Sequence, residues 1–511
     1  MDWTAGYASD VEYIAGFYKE QSPQWLNMVC VLNGLEPVSL DAGFTYFELG
    51  FGRGLTANLL AAAHPQGQFF ATDFNPAHVA GARALAADGG IGNLTLLESS
   101  FAELAQGAVQ LPQLDFITLH GIYTWVTPEN QQHIVDFIAR YLKPGGLVYL
   151  SYNALPGWIA ALPMQRLLVE YGDAHPNRSD IQLRGAATFL QKLSEAGASY
   201  FHAHPSNQAR VDGLKTSNTN YLVHEYMHKH WQPLYHADVA RALGGAKMDF
   251  AGGAEFSCAY TQLFLNEERK ALLAQMPDPA MHETLKDYFL NTAFRKDVFV
   301  RGARKMSPAR RTAWLAQTCV ALMVARDKVT FDMVLTVGAV SGAPAVYGPL
   351  CDALAVRPHT LAELAALPQL QGSSLEDVLQ TAALLTTSGQ AALYRGAPVD
   401  AAPARRFNQA IAAHLEHGDD YSVMCSPVLG GGVAVSYVER LVFGLLAQGG
   451  DEADIDKLVV DAWCIMSRLS RRMVRDGVTL ENEQQNLQEL RLAIERIVRD
   501  TLPDWRSLGM I

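Results

Sequence analysis

The sequence predicts an α/β fold in which a parallel sheet covered by helices comes first and mostly helical segments follow. Over residues 1–160, short β-branched or aromatic runs alternate with amphipathic stretches. A glycine-rich turn follows the first of these runs, and from Pro163 onward Ala-rich and Leu-rich helical periodicity replaces the alternation. A chain of 511 residues also exceeds the ~300 residues at which single cores stop growing, so several domains are expected.

The predicted strands are apolar runs bounded by Gly, Pro or polar residues. They are Thr45–Leu49, Gln68–Thr72, Leu94–Leu97, Asp115–Leu119 and Leu147–Tyr152. Before the last of them, a helix is predicted to begin at Pro128 and to end at the turn formed by residues 143–146, Lys-Pro-Gly-Gly. In open sheets of this kind, ligands bind beyond the carboxyl ends of the strands.

The later segments are predicted to be mostly helical. Two helical patterns, Leu361–Leu367 and Leu375–Thr387, precede a short apolar run at Ala391–Tyr394, an order reminiscent of a winged helix. Long helical stretches are predicted in the tail, over Val433–Leu446, Ile455–Asp476 and Glu481–Thr501.

Composition and charge exclude several classes of protein. A net charge of −12 disfavours a nucleic-acid partner, because neutralising phosphates needs dense Lys and Arg. No apolar run reaches the ~20 residues that cross a bilayer, and the first residues lack the basic start and apolar run of a signal peptide. The six cysteines have no paired spacing, which indicates isolated thiols rather than a disulfide framework. We therefore expect a cytoplasmic protein without membrane insertion.

The glycine-rich turn reads Glu-Leu-Gly-Phe-Gly-Arg-Gly over residues 48–54, with glycines at Gly50, Gly52 and Gly54. Missing Cβ atoms at a strand-to-helix turn let a ligand approach the backbone. A dinucleotide site would read G-x-G-x-x-G. The acid at Glu48 and the earlier third glycine instead resemble motif I of class I S-adenosylmethionine-dependent methyltransferases, whose pattern is acid-x-G-x-G-x-G.

The resemblance implies a Rossmann-like domain that binds S-adenosyl-L-methionine through this turn. Asp73 closes the second strand, where a carboxylate accepts hydrogen bonds from both ribose hydroxyls. The family often has an acid for the adenine amino group after the third strand, and this chain has Ser99-Ser100 there. Tyr7 and Tyr13 are candidates to cover the cofactor, although an amphipathic helix explains them equally. The remaining cofactor contacts are predicted from Tyr18, Phe74, Ser100, Phe101 and His120.

Four further segments resemble bacterial methyltransferases that carry a methyltransferase regulatory domain. They are His120–Val126, Ser151–Trp158, Asn220–Tyr226 and Asn291–Asp297. The best understood members are protein-lysine methyltransferases of outer-membrane proteins, so the resemblance implies a protein substrate that presents lysine, and a homodimer. It also implies a division into a methyltransferase domain, a helical linker or dimerisation segment, the regulatory domain, a helical and winged-helix-like domain and a C-terminal helical domain. The corresponding ranges are 1–160, 161–215, 216–305, 306–400 and 401–511.

The candidate catalytic residues lie in the segments that meet the acceptor. A lysine amine, with a pKa of ~10.4, is protonated at neutral pH and must be desolvated or lose its proton before it attacks. His120 and Tyr123 are predicted to assist, and Tyr152 is a further candidate. Trp125 and Trp158 are predicted to form the wall of a channel for a cationic side chain, although buried tryptophans also serve as core. The segment at His120 departs from the Asn/Asp/Ser-Pro-Pro-aromatic motif, which disfavours methylation of DNA bases.

One motif supports a different chemistry. Residues 224–228 read His-Glu-Tyr-Met-His, the H-E-x-x-H pattern that presents two imidazoles to zinc with Glu225 as general base. A third ligand would come from Glu255, His230 or His236, but Pro233 interrupts the long helix that the motif needs. We therefore expect no metal. A small-molecule or natural-product methyltransferase, or a non-catalytic cofactor-binding regulator, would also be compatible with the sequence.

Overall fold

In the computed structural model, which describes residues 10–11, 14–396 and 400–511, a seven-stranded sheet forms the centre of the protein. Its order is β3-β2-β1-β4-β5-β7-β6. The strands are β1 Thr45–Leu49, β2 Gln68–Asp73, β3 Leu94–Glu98, β4 Leu114–Leu119, β5 Leu142–Asn153, β6 Met248–Gly253 and β7 Phe294–Arg301.

All five predicted strands are present and pair in parallel. The turn predicted at residues 143–146 is wrong, because β5 already begins at Leu142. Leu142 pairs with Leu114, and the register then shifts before Phe116 pairs with Leu147. The two glycines therefore form an irregularity within the strand, with Gly145 at a φ of 82°.

Strands β6 and β7 were not predicted from the sequence. β7 lies antiparallel between β5 and β6, and its pairing with β5 runs over seven residues from Leu147–Val300 to Asn153–Phe294. The sequence of β7 contains three consecutive charged residues, Arg295, Lys296 and Asp297, and this pattern does not predict a buried strand. A segment far along the chain therefore completes the sheet of the first 153 residues.

Helices cover both faces of the sheet. Phe116 and Ile117 are adjacent in β4 and belong to two different apolar clusters, because successive side chains point to opposite faces of a strand. The helices of this part are α1 Pro23–Leu32, α2 Leu55–Ala63, α3 Pro76–Asp88, α4 Phe101–Gln106 and α5 Pro128–Tyr141.

A helical insertion separates β5 from β6. Within it α6, α7 and α10 pack against one another around an apolar cluster that includes Leu168, Leu183 and Val223. Its helices are α6 Leu162–Ala174, α7 Ser179–Glu195, α8 Ser199–Ala203, α9 Asn207–Thr216, α10 Thr219–Tyr226 and α11 His236–Gly244, and α12 Glu267–Ala274 and α13 Pro279–Leu290 follow between β6 and β7.

The next part contains the winged-helix-like elements. The predicted helices and the short apolar run are present, and the run pairs with a strand that precedes them, in the order β11-β8-β12. The elements are α14 Pro308–Ala316, β8 Thr318–Leu322, β9 Asp332–Leu335, β10 Gly338–Ser341, α15 Pro344–Val356, β11 His359–Thr360, α16 Leu361–Ala365, α17 Leu375–Thr387 and β12 Ala391–Arg395.

In the tail, the predicted helix bounds are partly wrong. Val433 lies in a strand rather than a helix, and the helix that begins at Ile455 ends at Arg468. A hairpin follows because Asp476 and Gly477 adopt positive φ. The elements are α18 Ala402–Ala413, β13 Val423–Ser426, β14 Gly431–Ala434, α19 Tyr437–Ala447, α20 Ile455–Arg468, β15 Val474–Arg475, β16 Val478–Thr479, α21 Glu483–Arg496 and α22 Leu502–Ser507.

The tail packs directly on the sheet domain. α18 and β13 contact α2, and the Gly430 carbonyl accepts hydrogen bonds from Ser22 Oγ at 2.6 Å and from His64 Nε2 at 3.1 Å. The tail and one face of the sheet therefore share an apolar core. In the described part of the chain, no helix has the length and apolarity needed to cross a membrane.

We expect Asn408→Ala to destabilise the protein by about 2 kcal/mol, because each buried partner left unpaired costs roughly 1–3 kcal/mol. The buried Asn408 amide donates to the Cys425 and Met510 carbonyls at 2.9 and 3.0 Å and accepts from the Cys425 N–H at 2.6 Å. Urea denaturation measures the change. Gln409→Ala, one position along at an exposed site, is the control, and equal midpoints for both variants would contradict the expectation.

Candidate cofactor and acceptor site

A cavity of about 820 Å³ lies at the carboxyl ends of β1, β2 and β4. Its lining comes from the loops that follow these strands and from α9, α10 and β7 of the later chain. The residues that line it and were predicted as site residues are Tyr18, Glu48, Gly50, Gly52, Gly54, Asp73, Phe74, Ser100, Phe101, His120, Trp125 and Trp158.

The glycine turn connects β1 to α2 in a conformation that needs glycine. Gly50, Gly52 and Gly54 have φ values of 70°, 57° and 75°, which L side chains rarely adopt. A Cβ on Gly50 would lie 2.3 Å from Ile122 Cδ1, and one on Gly54 would lie 2.4 Å from Ala82 Cβ. The turn therefore brings the backbone close to both neighbouring segments and leaves its open side to the cavity.

Asp73 holds this turn in place from the end of β2. Its Oδ2 accepts a hydrogen bond from the Gly52 N–H at 2.8 Å, and its Oδ1 accepts one from the Asn75 N–H at 2.9 Å and lies 3.2 Å from His78 Nδ1. A carboxylate offers about four acceptor positions, and this one lines the cavity. Asp73 is therefore placed both to fix the turn and to receive the hydroxyls of a ribose.

Glu48 is buried at the base of the same region. Its Oε1 accepts from Gln21 Nε2 at 3.3 Å, whereas its Oε2 has no hydrogen-bond partner among the described residues. Burial raises the pKa of this carboxyl to about 8, and the bond from Gln21 acts in the opposite direction. A buried oxygen without a partner at a cavity wall fits a ligand that donates hydrogen bonds, such as the ammonium group of an amino-acid cofactor.

The segment after β3 contributes Ser99, Ser100 and Phe101 to the lining. The Ser100 hydroxyl caps α4: it accepts from the Glu103 N–H at 3.2 Å and donates to Glu103 Oε2 at 2.9 Å. Its proton is therefore engaged within the helix cap, which leaves the Phe101 ring and backbone groups to contact an adenine.

His120 lies between two tyrosines. Its ring stacks on Tyr18 with centroids 3.5 Å apart, and its Nδ1 lies 2.8 Å from the Tyr149 hydroxyl. Burial lowers the pKa of the imidazole to about 3. His120 is therefore neutral at physiological pH and is suited to position a ligand rather than to retain a proton. Tyr7 and Tyr13 lie outside the described residues.

Two residues predicted as catalytic do not line the cavity. Tyr123 is buried among apolar side chains of the sheet. The Tyr152 hydroxyl donates to Asp297 Oδ2 at 2.6 Å and lies 3.3 Å from His236 Nδ1. The prediction is corrected for both residues, because burial on the sheet and the network around Asp297 remove them from the acceptor.

The predicted aromatic wall is altered at one position. Trp125 and Trp158 both line the cavity, but the guanidinium of Arg210 already covers the Trp158 ring at 3.9 Å, with the rings of Tyr226 and Trp231 at its edges. Trp158 therefore lies in the cavity wall, as predicted, but a cation of the protein itself covers one face of its ring.

Sequence reasoning missed several residues of this cavity, chiefly Arg210 and Lys296. Lys296 Nζ is bonded to Glu20 Oε1 at 2.8 Å and to Glu255 Oε1 at 3.2 Å. Glu225 also lines the cavity, although the sequence indicated a chemical role for it only within the zinc motif. No local signal identifies these positions, because the pairing of β7 with β5 and the folding of the insertion bring them to the cavity.

The H-E-x-x-H residues are not arranged as the motif predicts. α10 ends at Tyr226, so His228 lies beyond the helix on which both imidazoles would have to project. His224 Nε2 is bonded to the Val11 carbonyl at 3.0 Å. Among the described residues, no group of three or more His, Cys, Asp or Glu side chains is placed to hold a metal ion.

Two families match the chain. The one described as "Methyltransferase domain" matches residues 47–146, which contain the glycine turn and Asp73. The one described as "Predicted methyltransferase regulatory domain" matches residues 218–301, which contain α10, β6 and β7. Both matches therefore fall on segments that line the cavity or complete its sheet.

Whole-chain comparisons extend these matches. The uncharacterised protein sll1526 of Synechocystis sp. is 36% identical over 517 residues, which is 100% of both chains. Protein RP028 of Rickettsia prowazekii is 24% identical over 221 residues, 43% of this chain and 86% of its own length. The solved structure of PKMT2 from Rickettsia typhi in complex with AdoHcy has a TM-score of 0.71 at 18% identity and covers 98% of this chain and 99% of its own.

The sheet order, the glycine turn with its acidic partners, and the two family matches agree with one another. The chain also aligns with sll1526 over its whole length. It therefore belongs to the class I S-adenosylmethionine-dependent methyltransferases that carry a methyltransferase regulatory domain.

Proposed function

We propose that this methyltransferase transfers a methyl group from S-adenosylmethionine to the ε-amine of lysine in a protein substrate. The observation that carries the proposal is the composition of the cavity beyond the glycine turn. There it is lined by the aromatic residues Trp125 and Tyr226 and by the carboxyl group of Glu225. Aromatic faces and carboxylates both attract ammonium groups, so this part of the cavity, the acceptor half, suits a cationic side chain. The part lined by the glycine turn and Asp73 is the cofactor half.

The resemblance of the segments at His120, Ser151, Asn220 and Asn291 to protein-lysine methyltransferases supports the same acceptor, and the likeness to PKMT2 supports the same fold. This likeness extends over 98% of this chain and therefore includes the helical insertion and the tail as well as the sheet. The motif typical of enzymes that methylate planar amino groups is missing at His120. The segment there places an imidazole and a glycine beside the cofactor half instead.

The chain's own residues bind, orient and shield the reactants. The bound cofactor supplies a methyl group that its sulfonium has already activated. Asp73 would receive the ribose hydroxyls, and the open oxygen of Glu48 would receive the cofactor's amino group. Tyr18 and His120 would cover the bound cofactor. Alignment of the amine with the methyl carbon, away from water, then supplies most of the rate.

The test is methylation of a lysine-rich protein with radiolabelled S-adenosylmethionine. We expect label in the untreated protein and none in the same protein after its lysines have been acetylated. Hydrolysis of the labelled protein is expected to release methyllysine. Equal labelling of both preparations, or label only in added small molecules, would contradict a lysine acceptor, and the second result would favour a small-molecule substrate.

The homodimer, the cytoplasmic location and the five-domain division also remain part of this proposal. Ile181 and Phe189 on α7, within the segment assigned to dimerisation, are 46% and 42% exposed. Exposed apolar side chains of this size support a contact between two copies.

A further inference from the structure

Glu225 comes from the regulatory segment, yet it lines the same cavity as Gly50 and Asp73. It is the next-to-last residue of α10. Nothing in the glycine turn or in the segment after β4 supplies a carboxyl group to the acceptor half. The regulatory segment therefore brings an ionisable group to the place where the acceptor must enter.

Hydrogen bonds hold the helix that carries this carboxyl. Gln165 Nε2 on α6 donates to the Tyr226 carbonyl at 2.9 Å and to the His228 carbonyl at 3.2 Å, and so ties the chain just after Glu225 to α6. At the start of the helix, Asn218 Oδ1 accepts from the Asn220 and Tyr221 N–H groups at 2.9 and 3.3 Å. Side-chain hydrogen bonds therefore fix the backbone at both ends of α10.

Burial raises the pKa of the Glu225 carboxyl to about 7, while the charge of Arg210 and the Asn153 amide act in the opposite direction. Arg210 on α9 is the charged group beside it, and α6 and α7 meet α10 through an apolar cluster. The titratable groups next to it in sequence are His224 and Tyr226, with His228 just beyond. A carboxyl with this pKa exchanges its proton near neutral pH.

The other titratable candidates are less suited to accept a proton. Burial lowers the pKa of His120 to about 3 and that of His224 to about 4, so neither imidazole takes up a second proton at neutral pH. Tyr123 lies outside the cavity lining. Glu48 is at the base of the glycine turn, where its open oxygen faces the cofactor half.

We propose that Glu225 is a catalytic residue that binds the acceptor ammonium and takes its proton. The inference rests on the proposed lysine acceptor. The Glu225 carboxylate removes one proton from the ammonium and becomes a carboxylic acid. The nitrogen lone pair then forms a bond to the methyl carbon as the carbon–sulfur bond breaks, and sulfur keeps that electron pair. The products are a methylammonium group and S-adenosylhomocysteine, and Glu225 releases its proton to solvent.

The pH dependence of kcat/KM tests this role. Wild-type activity should rise tenfold per pH unit up to about pH 7 and then level off, because protonated lysine is the form that Glu225 uses. Glu225→Gln should lose roughly 10²–10⁴-fold at pH 7. Its activity should keep rising tenfold per unit toward the lysine pKa of ~10.4, because it needs amine that is already neutral.

Glu170→Gln makes the same change at an exposed carboxyl on α6 and should keep the wild-type profile, while Glu225→Asp should retain the plateau. S-adenosylhomocysteine should bind all variants equally by calorimetry, which shows an intact cofactor half. A wild-type profile in active Glu225→Gln would overturn the role of Glu225 alone. Wild-type enzyme that binds S-adenosylhomocysteine but never methylates lysine would overturn the acceptor and, with it, this role.

Discussion

Replacing Asp73 with alanine is expected to weaken S-adenosylmethionine binding by about 3 kcal/mol, or roughly 150-fold. The carboxylate serves two purposes: it is placed to receive the ribose hydroxyls, and it accepts the Gly52 and Asn75 N–H groups at 2.8 and 2.9 Å. The variant loses the ligand bonds and the anchor of the glycine turn together. Calorimetric titration with S-adenosylmethionine measures the difference.

The matched control is Asp88→Ala, which removes an exposed carboxylate at the end of α3, the helix that follows Asp73. It changes the net charge equally but leaves the cavity intact, so its affinity should equal that of the wild type. An Asp73→Ala protein that folds and binds as tightly as the control would mean that the cofactor does not lie on this turn.

Arg295→Met is expected to lower the free energy of unfolding by about 3–5 kcal/mol, because it leaves buried acids without their cation. The guanidinium donates from Nε to Asp297 at 2.9 Å, from Nη1 to Asp287 at 2.7 Å and from Nη2 to Glu283 at 3.0 Å. Burial opposes ionisation of Asp297, yet the charge of Arg295 lowers the pKa of this carboxyl below its usual range. Urea denaturation measures the loss.

Arg241→Ala supplies the comparison. Arg241 on α11 pairs with Asp238 at 2.6 Å, but both side chains are exposed, at 74% and 52%, and such pairs contribute roughly 0–1 kcal/mol. If both arginine variants unfolded at the same urea concentration, the buried network would not be what joins β7 to α13.

The first half of the sheet could be predicted from the sequence because its strands are apolar runs bounded by turn residues. The start of β5 could not, since the Lys-Pro-Gly-Gly segment has the composition of a turn and becomes strand only through its pairing with β4. β7 could not be predicted from the sequence for a related reason. The charge of Lys296 is neutralised by Glu20 and Glu255, which are distant in sequence and which no local pattern contains.

The cofactor half of the site was predictable for the same reason as β1 and β2: a turn of alternate glycines and an acid at a strand end are local patterns. In the acceptor half only the positions of Trp125 and Trp158 in the cavity wall were predicted. Trp158 was predicted to receive a cation, but the partner that covers it is Arg210, 52 positions further along the chain. Glu225 was interpreted as part of a metal motif because histidines lie close to it in sequence. In the structure, the groups that act on its carboxyl are Arg210 and Asn153.

The pairing of β5 with β7 determines what happens when the chain is cut. β5 is 12 residues long, and its hydrogen bonds on one side go entirely to a strand that is synthesised about 140 residues later. A fragment that ended near residue 160 would present these bonding groups as an open edge, which is a template for intermolecular strand pairing. During synthesis, the apolar α/β portion must therefore wait for its last strands, and in this interval it is most exposed to aggregation.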